Sequence, residues 1–524
     1  MRHLCIFAIG ALMSAVDSLA AVPENSSALM ESGDFATIEQ LISSPDSKIT
    51  RAEADSLREV MRRIKRDFSI PYEEGIKQIQ SRFSNASRQN IEDWERNNYI
   101  ETKTIDGTKY MFRKSISNLD RLVPELSARK ESQQVATNFS RAKFAKAAMA
   151  EADSATGLDG GHRVTLKFTI DVDADAVPDG ETIRVWMPFP IESMRQKNVQ
   201  LLSSSDDVTY SQSPVHNTIY MERKAEKGKA AHFEAVFAYD VYSQCFSQDY
   251  LLEHAKAYDK SSDVYKKYTA DEGVQILLTD DMKALAAKII GNETNPVKQA
   301  SLIYNWIEAY FPWAGAREYS TIPNLAQYAL SRGYGDCGQV SLLYITLLRS
   351  AGIPARWESG WSLEPGAVGM HDWAEVYYEG VGWVPVDMSY GLLRTNDGDD
   401  VLNFYKSGID FYRFAANRGV NSPFSPAKQY IRSETVDSQL GEVEWKGGNL
   451  FYYESWTPRL EVVSIDELQS GHSYAIVAQK WAIIAAIACN PAASVCCNEK
   501  NVVNLHRFFK IPCDGKLRSE TLNF

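Results

Sequence analysis

The stretch Gly333-Tyr-Gly-Asp-Cys-Gly-Gln339, with Gly369-Met-His-Asp-Trp-Ala-Glu-Val-Tyr377 and Gly382-Trp-Val-Pro-Val-Asp387 downstream, decides how this chain reads. It holds Cys337, His371 and Asp387 in order: a nucleophile, a base and an orienter, each in its own local frame. After Cys337, apolar Val340, Leu343, Tyr344, Leu347 and Leu348 recur at helical spacing, and Gly352 and Pro354 stop the pattern. The spacing predicts an amphipathic helix over 337–350 with one apolar face. Cys337 falls at its start, where the dipole and the free N–H groups favour a thiolate and lower the thiol pKa. The same N–H groups can hold a developing oxyanion. Gly335 and Gly338 leave room for a substrate backbone. His371 opens a short strand (371–378) and Asp387 falls near the end of the next (383–388), with Glu379-Gly-Val-Gly382 between them. A tight hairpin places the two within diagonal neighbour distance if the register cooperates. Taken singly, a cysteine is more often a small buried hydrophobe, a strand histidine a satisfied core residue, and an aspartate a turn or cap. The order and framing of all three carry the weight.

Outward from this set, composition sets bounds. With 524 residues the chain predicts three or four domains. Its formal charge of −12 argues against nucleic acid or an anionic membrane as the main partner. Arg2 and His3, the apolar run 5–15, and Ser18-Leu-Ala20 read as a signal peptide over 1–20; the competing reading is a buried first helix. The protein is expected to be exported, periplasmic or secreted. No membrane span is expected after cleavage, since the apolar run 481–489 is too short. Of seven cysteines, Cys245 and Cys337 stand alone in the body of the chain. Cys489, Cys496, Cys497 and Cys513 crowd the last stretch without the second paired motif of a zinc site.

The expected fold class is multidomain α+β. Residues 35–130 form a helical unit with a hairpin, signalled by the Thr50-Arg-Ala-Glu53 capping box and by Asp106-Gly107 between strand-like runs. Residues 131–161 read as a linker. Period-2 patterning over 162–255, as in Val164-Thr-Leu-Lys-Phe-Thr-Ile170, predicts a β-sandwich. The mixed α+β core spans 258–400, and 401–465 is a β-rich extension expected to complete it or cover its cleft. Residues 469–524 form a basic tail of uncertain order.

The three motifs together resemble the transglutaminase-like superfamily, over about 270–395. Tyr304-Asn-Trp-Ile307 and Gly352-Ile-Pro-Ala-Arg356 also fit it. The resemblance implies a papain-like α+β core in which Cys337, His371 and Asp387 form the triad. Members include protein cross-linking enzymes, peptide-glycan amidases and bacterial proteins regarded as thiol peptidases. It also implies a second oxyanion donor upstream, for which Trp313, Tyr319 and Gln327 are candidates. Trp373 and Trp383 are expected to pack around the histidine, and Arg356 to hold a carboxylate behind the core. Asn396-Asp-Gly-Asp-Asp400 lacks EF-hand spacing and reads as a solvated acidic loop. No metal or cofactor is expected.

Three functions are carried forward. The leading one is an exported thiol amide hydrolase acting on peptide or protein substrates, cell-wall or glycopeptide material included, through an acyl-enzyme thioester. The second is transfer of the same acyl group to an amine. The third, of a different class, is a secreted binding or scaffold protein with a vestigial triad.

Overall fold

The computed structural model describes residues 24–127, 140–392 and 399–468. The expected signal peptide, the basic tail and most of the acidic run 396–400 lie outside the described residues. Within them the architecture is mixed α and β, with four sheets. Among the described residues, no helix is long and apolar enough to cross a membrane.

The N-terminal unit follows its local signals. Thr50 and Glu53 close a reciprocal capping box at the start of the Arg51–Asp67 helix. Asp106 and Gly107 both take positive φ, 47° and 82°, between strands Thr102–Ile105 and Thr108–Met111. This is the backbone a two-residue hairpin turn needs. Ile38, Leu57, Met61, Ile64, Phe68 and Phe112 pack together beneath. The unit is anchored on the rest of the chain by Arg63. Its buried guanidinium donates to the Arg432 and Ser433 carbonyls at 3.0 and 3.3 Å, and to Glu59 at 2.8 Å.

The sandwich has two antiparallel sheets. One contains Leu158–Val172, Ala231–Cys245, Trp456–Glu467, Gln196–Ser204 and the short Gly408–Ile409. The other contains Thr182–Pro188, Thr218–Lys224, Thr209–Tyr210, Glu442–Trp445 and Gly448–Leu450. Inward positions at every second residue, Val164, Leu166, Phe168 and Ile170, meet Val185, Met187, Ile219 and Met221. The 401–465 stretch, expected to complete the core, divides its strands. Arg413–Asn417 joins the core sheet beside Ala355–Ser362, whereas the strands from 442 onward close the sandwich. The physical reason is a pairing that runs from Trp456 opposite Val172 to Glu467 opposite His162, between segments far apart in the chain.

The core sheet runs Gly382–Val386, Gly369–Tyr378, Ala355–Ser362, Arg413–Asn417, all antiparallel. The helix Cys337–Ser350 packs on it and is enclosed by helices Asp280–Ile290, Pro296–Tyr310 and Leu325–Arg332. Here the structure departs from the expected one-faced helix: every residue from 338 to 349 is buried. Three polar positions that read as a solvent face find internal partners. Ser341 donates to the Asp372 carbonyl and Thr346 to that of Leu342. Arg349 donates to the Ala355 and Ala270 carbonyls and pairs with Glu272 at 2.6 Å. Gly352, at φ 77°, ends the helix.

Leu343 is fully buried at the centre of this packing. Leu343→Ala should cost about 3 kcal/mol in urea unfolding; a loss below about 1 kcal/mol would mean that the helix is not the centre of the core.

Candidate functional site

Cys337 is the first residue of its helix. Asp336 caps it, its carboxylate accepting the Gln339 N–H at 3.3 Å while the Gln339 side-chain oxygen accepts the Asp336 N–H at 3.3 Å. The residue as a whole is half-buried. Its thiol donates to Asp372 Oδ2 at 3.3 Å, and the Gln439 side-chain amide donates to Asp372 Oδ1 at 2.8 Å. Tyr319 lies over the turn, its hydroxyl donating to Asp336. A Cβ on residue 338 would crowd Tyr319 Oη and Asp372 Oδ2, so a side chain there would displace both groups.

His371 and Asp387 lie together. Nε2 of the imidazole is 2.7 Å from Asp387 Oδ2. Asp387 is fully buried and also takes Arg413 Nη2 at 3.0 Å and the Ser389 N–H at 3.1 Å. Burial alone would push the Asp387 carboxyl up, but the His371 and Arg413 charges and the hydrogen bonds it accepts hold it well below the usual carboxylate range. Arg413 is held in turn by Asp410 at 2.6 Å. The imidazole stacks on Tyr390, centroids 4.9 Å apart, with Trp373 at 6.1 Å.

The alternation of the Gly369–Tyr378 strand explains this division. Asp372, Ala374 and Val376 face the Cys337 helix. His371, Trp373 and Glu375 bond to Asp387, Glu358 and Arg356 instead. The structure brings His371 and Asp387 into contact; the thiol is bonded to the residue beside His371 instead. The expected lowering of the thiol pKa is also reversed. Burial, with the Asp372 and Asp336 carboxyls beside it, pushes Cys337 up against the pull of the helix start.

Residues 283–388 match the model of the transglutaminase-like superfamily core. They are a transglutaminase-like core domain. The chain is 33% identical over 133 residues to an uncharacterized protein of Haemophilus influenzae, covering 20% of this chain and 35% of that protein. It is 26% identical over 136 residues to the uncharacterized protein YebA of Bacillus subtilis, covering 22% and 18%. The matched stretch thus spans about a third or less of these relatives. Among solved structures, it resembles a proposed cysteine protease from Cytophaga hutchinsonii, with TM-score 0.40 and 14% identity over 60% of this chain and 93% of that one. It also resembles the periplasmic domain of TgpA from Pseudomonas aeruginosa, with TM-score 0.23 and 14% identity over 51% and 99%.

Around the transglutaminase-like core the other expected residues separate. Trp373 lies beside His371 and donates to Glu358 at 2.9 Å. Trp383 does not: it lies against the Arg356 guanidinium at 3.9 Å, among Tyr377 and Tyr268. Arg356 holds Glu375 at 2.6 Å. Of the oxyanion candidates, Tyr319 is at the thiol's turn, the Trp313 ring is stacked by Arg121 at 4.3 Å, and Gln327 is exposed. Cys245 is buried and its thiol is pushed up to about 12 by that burial. Sequence reasoning missed Asp372, Arg413, Tyr390 and Gln439. Asp372 had a signal, since strand parity turns the residue after His371 to the opposite face. Arg413 and Gln439 come from a distant segment with no local mark.

The Asp387 carboxyl has a folded pKa below its unfolded one. Its stabilising effect is therefore full above the unfolded value, about 4, and is lost as pH falls toward the folded one. Asp387→Asn should lose about 2 kcal/mol at pH 7, with the gap to wild type narrowing below about pH 4. A gap in urea midpoint that stays constant across that range would exclude the ion-paired state.

Proposed function

We propose that this chain is an exported thiol-dependent amide hydrolase that acts on peptide or protein substrates, with Cys337 as nucleophile, His371 as base and Asp387 as orienter. The observation that carries this reading is the buried Asp387, fixed between Arg413 and His371, beside the strand position that touches the thiol. With Nε2 engaged by Asp387, the imidazole presents Nδ1 for proton transfer. The sulfur attacks the amide carbon as its proton passes to His371. The tetrahedral oxyanion is met by the free N–H groups at the helix start. Collapse expels the amine, which takes the proton from His371, and leaves a thioester. Water, deprotonated by His371, then adds to the thioester and releases the acid and the thiol. A half-buried cysteine at a helix start, flanked by Gly335 and Gly338, suits an extended peptide backbone.

Cys337→Ala should abolish modification by a peptidyl thiol-directed electrophile, read on the peptide containing residue 337, and should abolish hydrolysis of a peptide library. Equal modification of the mutant protein would remove Cys337 from the mechanism. His371→Ala should lower kcat by about 10³-fold, and a loss of less than tenfold would deny it the role of base. Offering glutamine peptides with and without a primary amine, and weighing the products, separates hydrolysis from transfer: predominant amine adducts would replace the hydrolase reading. Export is checked by the amino terminus of the mature protein, expected just after residue 20.

A further inference from the structure

We propose that Asp372 restrains the nucleophile: its carboxyl holds the Cys337 thiol hydrogen and keeps the sulfur turned from His371 until it is displaced. The inference rests on the reading of Cys337 as the nucleophile.

The geometry is built rather than incidental. Asp372 is buried, and its two oxygens have separate tasks: Oδ1 is fixed by Gln439 at 2.8 Å, which aims Oδ2 at the thiol, 3.3 Å away. The main chain on both sides is fixed as well. Gln439 also donates to the His371 carbonyl at 3.0 Å, and Ser341 of the Cys337 helix donates to the Asp372 carbonyl. Gly338 leaves no more space than the carboxyl fills. A thiol oriented in this way gives its hydrogen to a carboxyl, whereas a thiol ready to react would give it to the imidazole one residue earlier on the strand.

The charged and titratable surroundings reinforce the hold. Asp336 faces the thiol from the helix cap, and Tyr319 from the preceding loop. Asp437 and Gln439 face Asp372 from the segment that crosses the sheet, with Arg432 beside Asp437 and Lys114 toward Asp336. Burial and the neighbouring Asp437 and Asp336 carboxyls push Asp372 up. Near the sulfur, then, acids outnumber cations, and the thiolate is disfavoured while Asp372 stays in place. A substrate that displaces the carboxyl, or draws it away through the Gln439 segment, frees the sulfur to turn to His371. Reactivity is thereby tied to occupancy of the cleft.

The test is the pH dependence of iodoacetamide alkylation at Cys337 in the folded full-length protein, followed by mass spectrometry on the peptide carrying that residue. The wild-type midpoint should lie above that of free cysteine, about 8.5. Asp372→Asn keeps the size and the Gln439 bond; it should lower the midpoint by about one unit or more and speed alkylation at pH 7 about tenfold. A wild-type midpoint at or below that of free cysteine overturns the proposal without any variant. So does an Asp372→Asn profile that matches wild type. Faster alkylation of Asp372→Asn in a protein that hydrolyses no peptide would sink the hydrolase reading and leave this one standing. Peptide hydrolysis by wild type with no effect of Asp372→Asn on alkylation would do the reverse.

Discussion

The burial of the Cys337–Ser350 helix on all sides is the constraint on which the rest depends. A helix enclosed this way cannot slide or rotate without breaking contacts around its whole circumference. Its polar residues convert enclosure into register. Arg349 ties one end to Ala355, Ala270 and Glu272, and Ser341 ties the middle to the strand that carries His371. With the axis fixed, the position of residue 337 follows.

The strand Gly369–Tyr378 separates two kinds of surroundings by alternation alone. Along it, Ala374, Val376 and Tyr378 meet the apolar packing of the helix, and Asp372 meets the thiol at the helix start. Its odd-numbered residues enter a layer of buried ions: Glu358 with Arg195 and Arg418, Glu375 with Arg356, and Asp387 with Arg413. Pairs of this kind add little net stability compared with apolar packing, but leaving one partner alone in the interior is costly. Their value here is directional, because each carboxylate has one arrangement that satisfies it. The orientation of the imidazole is fixed by that arrangement several residues deep.

Much of this was legible in the sequence because the signals were local. The capping box at Thr50, the turn at Asp106-Gly107 and the period-2 run from Val164 each depend on residues within a few positions of one another. The strand bearing His371 and the neighbouring one that ends just before Asp387 were legible for the same reason. What escaped depends on distant partners. Ser341, Thr346 and Arg349 look like a solvent-facing stripe until their internal acceptors are known. Arg413 reaches Asp387, and Gln439 reaches Asp372, from beyond the motifs. The helix start pointed to a reactive thiol because a dipole can be read from sequence, while the opposing carboxyls come from other elements.

The sandwich brackets the core: Leu158–Val172 precedes it, and its edge partner Trp456–Glu467 follows. During synthesis the earlier strand leaves the ribosome with one side unpaired and must wait roughly 300 residues for its neighbour. In that interval it is an open edge able to recruit any other extended chain. The core, whose sheet closes at Arg413–Asn417, can be assembled before the sandwich is sealed. The final strand is thus the one whose arrival closes that edge.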